Sequence, residues 1–120
     1  MAVNPGIYNF ELQKGQDWEV ELQITDSNGN PLPFDHKQLK AQVWDIKRCR
    51  KEPYANFDIT PINPSMAQYK FALSGEQTLD FPKIAVYDLL VYDLDEDDNP
   101  INREYYLEGT ITAMQTYTRI

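Results

Sequence analysis

Apolar and polar residues alternate along most of this chain, and short turn sequences interrupt the alternation. Within residues 17–25, Trp18, Val20 and Leu22 are separated by charged or amide side chains. A period of two residues is typical of a β-strand with one buried face. The next segment, residues 26–31, contains an Asn-Gly step and a proline, which favour a tight turn. The pattern therefore predicts strands joined by turns.

The remaining alternations and breaks predict about seven or eight strands in all. We place them at residues 8–13, 17–25, 39–48, 57–59, 68–73, 84–92 and 101–118. Two short helical turns are also predicted, because Asp35 can cap a turn at 36–39 and Ser74 can form a capping box with Gln77. No longer segment has helical periodicity.

Two predicted strands have unusual sequences. Residues 84–92 are nearly all apolar, with Asp88 the main interruption, which favours a central strand covered on both faces. Gly109 lies inside the last strand, where a glycine often marks a bulge or bend. We interpret Trp18 and Trp44 as core aromatics.

Short strands separated by frequent turn signals are typical of a β-sandwich. We therefore predict an all-β fold, an immunoglobulin-like antiparallel β-sandwich, in a single domain over residues 1–120. A chain of 120 residues is long enough to bury a core. The Cys–Trp–Cys pattern of antibody domains is missing, so membership of that group is not predicted.

Composition narrows the classes of function. The net charge of −8 disfavours nucleic acid as a partner. No apolar run is long enough for a transmembrane helix, and the N-terminus lacks a secretory pattern, so we expect no membrane partner and synthesis in the cytoplasm. A single cysteine, Cys49, allows no intrachain disulfide or thiolate cluster. We predict no cofactor.

The acidic segment after residue 92 is a candidate Ca²⁺ site. Its oxygen-bearing residues follow an EF-hand-like register and are Asp93, Asp95, Asp97, Asn99 and Glu104. Asp98 stands where such loops need glycine, and strand-like flanks would carry Glu104 away. We therefore prefer a solvated hairpin tip, whose charges discourage edge pairing.

Catalytic equipment is sparse. His36 is the only histidine, and it lies in a proline-flanked connection. Asp88 is the only acid within a strongly apolar strand, which alone does not form a pair of catalytic carboxylates. No nucleophile, base and oxyanion donors come together in the sequence. We predict that the protein is not an enzyme.

Two loops of opposite charge are candidate interfaces. The basic loop contains Lys47, Arg48, Arg50 and Lys51, and the acidic loop contains Asp95, Asp97 and Asp98. Isolated charge runs are commonly solvated. The alternative is that the two loops meet head to tail between neighbouring copies, as in a closed ring.

The end of the last strand is a third candidate interface. Residues beyond Gly109 extend past the length that we expect the sandwich to pair, so exposed ladder groups would accept a neighbouring strand. Thr112, Met114 and Tyr117 would then contact the partner. The alternative is a strand paired within its own domain and a frayed tail at 117–120.

Several motifs follow one another along the chain in a set order. An opening strand is followed by Lys14-Gly15-Gln16-Asp17 and then by a strand that ends in the turn at 26–35. This order is similar to the start of small bacteriophage virion domains. Residues 68–74 resemble their "G-x-Y-x-x-x-L-S" strand, although Ala67 replaces the glycine. Residues 87–93 resemble "Y-D-L-x-V-x-D", and residues 108–119 resemble their closing "x-G-x-I-x-V…T-R".

The chain thus resembles the N-terminal domain of phage baseplate upper proteins and related tail-fibre attachment modules. The resemblance implies a structural virion protein that acts as an adaptor or hub by docking to other virion proteins and copies of itself. Its location would be the virion, after assembly in the host cytoplasm.

The alternative function is a carbohydrate- or receptor-binding module. Sandwich loops can present aromatic side chains to sugars. The candidates are Tyr54, Tyr105, Tyr106 and Tyr117, although we expect Tyr105 and Tyr106 to point to opposite faces of one strand.

Overall fold

The computed structural model describes residues 6–118, which form nine strands in two facing sheets. Positions 1–5 and 119–120 of the predicted domain lie outside the described residues. The strands are β1 (Gly6–Ile7), β2 (Phe10–Gln13), β3 (Trp18–Gln23), β4 (Gln38–Asp45), β5 (Ala55–Asn56), β6 (Asp58–Asn63), β7 (Gln68–Leu73), β8 (Ile84–Leu94) and β9 (Pro100–Met114). The predicted all-β sandwich is confirmed.

The two sheets differ in topology. The larger sheet has the order β1-β9-β8-β4-β5, with β2 also paired to β9, and the smaller sheet has the order β3-β7-β6. We expected antiparallel pairing throughout, but β1 and β2 run parallel to β9. Parallel neighbours need a long connection, and here most of the chain lies between the first and last strands. The larger sheet is therefore mixed.

The two predicted helical turns have different outcomes. Residues 36–39 form no helix, because His36 takes a positive φ of 64° in a tight turn and Gln38 already begins β4. The second prediction is confirmed by the helical turn α1 (Gly75–Thr78). Ser74 N donates to Gln77 Oε1 at 2.9 Å, and Gln77 N donates to Ser74 Oγ at 3.2 Å, which completes the capping box. A 3₁₀ turn (Pro64–Met66) precedes β7. No helix in the described part of the chain is long and apolar enough to cross a membrane.

The inward faces of the two sheets meet in an aromatic core. Trp18 packs inward from β3, as predicted, and its ring stacks on Phe10 of β2 with centroids 4.0 Å apart. Phe57 contacts both rings edge-on, and Tyr87 of β8 tilts against Phe10 and Phe57. Residues from both sheets share this cluster, so it holds the sheets together.

The outer side of β8 corrects two predictions. Its residues alternate, with Leu89 buried and Asp88 exposed, so the smaller sheet covers only one of its faces. Trp44 is not a core residue, since it lies beside Val86 on the outer side of β4, opposite in direction to the fully buried Val43. Apolar residues of this central region therefore remain partly exposed.

Gly109 is not the site of a bulge. It pairs regularly with Tyr87, and the register of β8 with β9 shifts elsewhere, between Leu89 and Leu90 and again between Val91 and Asp93. A glycine is needed because a Cβ at position 109 would overlap the carbonyl oxygen of Tyr8.

Two side-chain hydrogen bonds stabilise the close approach of residues 8 and 9 to β9 near Gly109. Tyr87 Oη donates to Tyr8 O at 2.6 Å, and Thr110 N donates to Asn9 Oδ1 at 2.9 Å. These contacts hold residues 8 and 9, which connect β1 to β2, close to β9. The N-terminal strands are therefore fixed at the edge of the larger sheet.

Candidate docking surfaces

The outer face of the larger sheet combines apolar and acidic side chains. Cross-strand partners arrange its centre in three neighbouring rows, which are Trp44–Val86–Thr110, Gln42–Asp88–Glu108 and Lys40–Leu90–Tyr105. A surface on which apolar area surrounds a small number of charged side chains packs well against another protein. We refer to this surface as the outer face.

A groove of about 700 Å³ follows the outer face. Residues from β1, β4, β8 and β9 and from the loop after β4 line it. Several of the apolar residues that line it are well exposed, including Ile7 at 74%, Ile46 at 64% and Tyr105 at 47%. Exposed apolar side chains grouped in a concave surface are typical of a binding site.

Trp44 is held in place within the groove. Its Nε1 donates to Gln42 Oε1 at 3.2 Å, and Gln42 Nε2 in turn donates to Asn56 Oδ1 at 2.8 Å. The guanidinium carbon of Arg48 lies 4.4 Å from the centroid of the Trp44 ring, a cation–π contact. The indole is therefore oriented before any partner arrives, which lowers the entropy cost of binding.

Two carboxylates lie side by side in the groove. Asp88 and Glu108 are direct cross-strand partners, and both are exposed on the outer face. Desolvation, followed by the negative charge of Glu108, raises the pKa of the Asp88 carboxyl above its ordinary value of 3.8, whereas Arg48 acts in the opposite direction. Like charges directly opposite each other destabilise a sheet.

The basic loop and the acidic hairpin lie at opposite ends of the larger sheet. Asp45 pairs with Ala85 at the end of β4 that leads into the basic loop, whereas Gln38 pairs with Tyr92 near the hairpin between β8 and β9. This placement would allow head-to-tail contact between copies, which stays a prediction.

Two side chains of the basic loop are engaged within the domain. Arg48 lies over Trp44, and the guanidinium carbon of Arg50 lies 3.9 Å from the centroid of the Tyr54 ring. Lys47 and Lys51 are exposed and project from the same loop. Within this loop, the two lysines are therefore the cations most accessible to another molecule.

Three of the candidate Ca²⁺ ligands, Asp93, Asp95 and Glu104, are already engaged in other interactions. Asp95 Oδ1 accepts backbone hydrogen bonds from Asn99 N at 2.9 Å and from Asp97 N at 2.8 Å. These bonds lower the pKa of Asp95, and the bond from Asn99 has the largest effect. Among the described residues, no three acidic, histidine or cysteine side chains are grouped so as to hold a metal ion. Asp98 takes a positive φ of 60° at the hairpin tip, where a glycine would fit more easily.

The flanking acids of that hairpin belong to the strands. Asp93 Oδ2 accepts from Asn102 Nδ2 and from Lys37 Nζ, each at 3.0 Å, and these bonds lower the Asp93 pKa. Glu104 accepts a hydrogen bond from Tyr106 Oη at 2.9 Å and lies within β9. As the strand-like flanks indicated, Glu104 does not turn toward the loop.

The expectation of an open ladder beyond Gly109 is wrong. Thr112 and Met114 lie in β9 where the strand is paired with β2, and Thr112 is also paired with β8. Thr116 Oγ1 continues the contact by donating to Lys14 O at 2.6 Å. Tyr117 is 89% exposed, so a side-chain role for it at an interface remains a prediction.

The candidate sugar-binding tyrosines are not gathered into one site. Tyr54 packs edge-on against Phe81 in the region below Arg50. Tyr106 faces inward against Phe34, and burial, together with its hydrogen bond to Glu104, raises its pKa to about 12. Only Tyr105 of the described candidates lines the groove, on the opposite face from Tyr106, as predicted.

Sequence reasoning missed the groove as a site. The near-continuous apolar run at 84–92 was its signal, because that run supplies apolar residues to both faces of β8. The pairing of Asp88 with Glu108 could not be read from the sequence, since it depends on the register of two strands and on a bulge between them.

Comparisons with known proteins identify the fold. No protein-family description and no curated protein matches this chain. Among solved structures, the N-terminal domain of phage TP901-1 ORF48 matches with a TM-score of 0.61 and 14% sequence identity, over 95% of this chain and 89% of that chain. At this identity, the similarity shows that the two domains share a fold.

Proposed function

We propose that this protein is a structural component of a bacteriophage tail or baseplate that acts as an adaptor between other virion proteins. The observation that carries the proposal is the shared fold with the N-terminal domain of phage TP901-1 ORF48, over nearly the whole of both chains. The ordered motifs of phage virion domains in the sequence support it independently. The protein would work by docking, without turnover, as part of the virion.

The surface of the domain supports a docking role. The outer face of the larger sheet keeps apolar residues of a central strand in contact with solvent, and Leu90 and Tyr92 of β8 are only partly buried. Apolar surface of this kind favours association with another protein. A specific contact would need about 800 Å² or more per partner.

The charged ends of the larger sheet support contacts between copies. The exposed Lys47 and Lys51 lie at one end, and Asp97 and Asp98 lie at the other. Heterologous contacts between such ends close into rings when the rotation allows it. Replacement of both lysines by glutamate should abolish a sedimenting oligomer of the purified protein, and an unchanged oligomer would contradict this contact.

Purified phage particles that encode the protein provide the direct test of its function. Mass spectrometry should find the protein at a fixed copy number, and a gold-labelled antibody should locate it in the tail in electron micrographs. Particles made without it should lack the tail components that dock to it. Its absence from purified particles would contradict the proposal.

A carbohydrate-binding module is the second candidate. One observation favours it, because Trp44 and Tyr105 line the same groove as Asp88 and Glu108, and aromatic rings beside carboxylates can bind sugars. A glycan array probed with the purified protein tests this function. Specific binding of a glycan that Trp44→Ala abolishes would favour it over the adaptor.

A further inference from the structure

We propose that the groove on the outer face binds a segment of a partner protein that places a lysine or arginine side chain against Asp88 and Glu108, with apolar residues on either side. In so far as the partner is a virion protein, this inference rests on the proposed function. The chemistry of the segment follows from the groove alone, and it is separately testable.

The apolar part of the segment is specified by the walls of the groove. Ile7 comes from β1, Ile46 from the loop after β4 and Tyr105 from β9, so the exposed apolar residues surround the two acids from several directions. The aliphatic side chains of Ile7 and Ile46 favour aliphatic neighbours in the ligand, and Trp44 and Tyr105 add aromatic surface beside them. Burial of these residues by a partner would provide the hydrophobic share of the affinity.

The basic part of the segment is specified by the paired carboxylates. Asp88 and Glu108 stand next to each other in the register of β8 and β9, and the neighbouring position on β4 is the neutral Gln42. The cation that reaches this region, Arg48, lies over the Trp44 ring. An additional lysine or arginine would neutralise the pair and form charge-assisted hydrogen bonds with it.

Charge also decides between a different protein and a second copy of this chain. Two outer faces brought together would place both pairs of carboxylates in one interface, and the chain as a whole carries a net charge of −8. Such an arrangement is repulsive, whereas a basic segment of another protein is attracted. A face-to-face pair of copies is therefore disfavoured. In the proposed head-to-tail contact, Lys47 and Lys51 of a second copy meet the acidic hairpin and not the groove, so we take a different protein as the occupant.

The test uses a library of random 12-residue peptides displayed for selection on the full-length protein. Enriched peptides should contain a lysine or arginine flanked by aliphatic residues. The outer-face variant Asp88→Asn/Glu108→Gln should bind the enriched peptides about tenfold or more weakly, because two charge-assisted contacts are lost. The matched control Glu19→Gln/Glu21→Gln removes the same charge from the smaller sheet and should bind like the wild type.

A stability measurement separates lost binding from lost folding. Because the two carboxylates repel each other in the free protein, the outer-face variant should have a higher melting temperature than the wild type while it binds peptides less tightly. A variant that merely misfolded would show a lower melting temperature. The single variant Asp88→Glu keeps the negative charge and should bind the peptides more tightly than the outer-face variant does. That result would assign the binding effect to the charge.

Several results would overturn the proposal. These are enriched peptides without a basic residue, equal binding by the outer-face variant and the wild type, a self-association that this variant abolishes, or a glycan that occupies the groove. Incorporation into particles separates this failure from that of the proposed function. A wild-type protein present in purified particles, together with unaffected peptide binding by the variant, would refute only the inference about the groove.

Discussion

The outer surfaces of the two sheets are built on opposite principles. On the smaller sheet, Glu19 and Glu21 of β3 stand exposed beside Lys70 of β7, while the intervening apolar residues face inward. On the larger sheet, Val86 and Leu90 of β8 face outward in the same strand whose other side is buried. Strict alternation thus marks a surface adapted to water. In β8 the outward positions are largely apolar, which marks a surface that is suited to contact with another molecule.

Each sheet also contains a tryptophan, and the two have opposite orientations. Trp18 packs inward from the smaller sheet, and Trp44 lies in the groove of the larger one. The pair therefore allows the same substitution to be compared at a core position and at a surface position. The predictions below use this and other matched pairs to test the contrast between the sheets.

The largest effect is expected at Trp18. Trp18→Ala should lower the free energy of unfolding by roughly 3–5 kcal/mol, since it removes the ring stacked on Phe10. Trp44→Ala should cost only about 1 kcal/mol, because it removes a cation–π contact and one partly buried hydrogen bond. Urea unfolding measures both values. Equal costs would show that the two faces have been assigned wrongly.

A smaller effect is expected from two glycines that serve different purposes, one in a strand and one in a turn. Gly109→Ala should cost about 1–3 kcal/mol or more, because its Cβ would displace Tyr8 and the N-terminal strands from β9. Gly29 lies in the turn after β3 with a φ of +81° and open space around it, so Gly29→Ala should cost about 1 kcal/mol through backbone strain alone. Hydrogen exchange checks the distinction, since only Gly109→Ala should expose the amides of β2.

Removal of one negative charge should change the stability of the protein in opposite directions on the two surfaces. Asp88→Asn should stabilise the free protein by about 0.5 kcal/mol, because it relieves repulsion from Glu108. Glu19→Gln should destabilise it by about 0.3 kcal/mol, because Glu19 Oε2 lies 3.8 Å from Lys70 Nζ in a surface ion pair. Thermal unfolding at low salt measures both shifts. Loss of stability in both variants would contradict the contrast.

The smallest effect is a dependence on pH. The pKa of Asp88 is raised in the folded protein, so the folded state holds its proton more tightly, and its contribution to stability improves as the pH falls from neutral through that raised value. The charged groups that face it are Glu108 and Arg48, and Gln42 faces it from β4. The advantage of Asp88→Asn over the wild type should therefore shrink between pH 7 and about 4. An advantage that grew on acidification would refute this cause.

Features that depend on neighbouring residues were predictable from the sequence. The alternation of β3, the capping box of Ser74 and the turn that begins at Asp26 all appear as expected. In that turn, Asp26 Oδ1 accepts from Asn28 N at 2.9 Å and from Asn30 N at 3.0 Å. Such bonds join residues a few positions apart, so the local sequence determines them.

Features that depend on distant residues were not predictable. Alternation places Trp44 and Val43 on opposite sides of β4, but only the packed sheets decide which side is inside. A glycine inside a strand pattern predicts a bulge or bend at Gly109, because the approach of Tyr8, more than a hundred positions earlier, leaves no local trace in the sequence. The groove has the same origin, since it joins residues of four strands and a loop.

The parallel pairing of the first strands with the last one has a mechanical consequence. The described chain enters through β1 and leaves beyond β9, and these strands point in the same direction, so the two ends leave the pair at opposite extremities. A pull on both ends would slide β1 and β2 along β9. The backbone hydrogen bonds that join these strands would then bear the load together. Antiparallel partners held by their adjacent ends would instead open one bond at a time. Stretched through the outer ends of β1 and β9, this domain is loaded in shear.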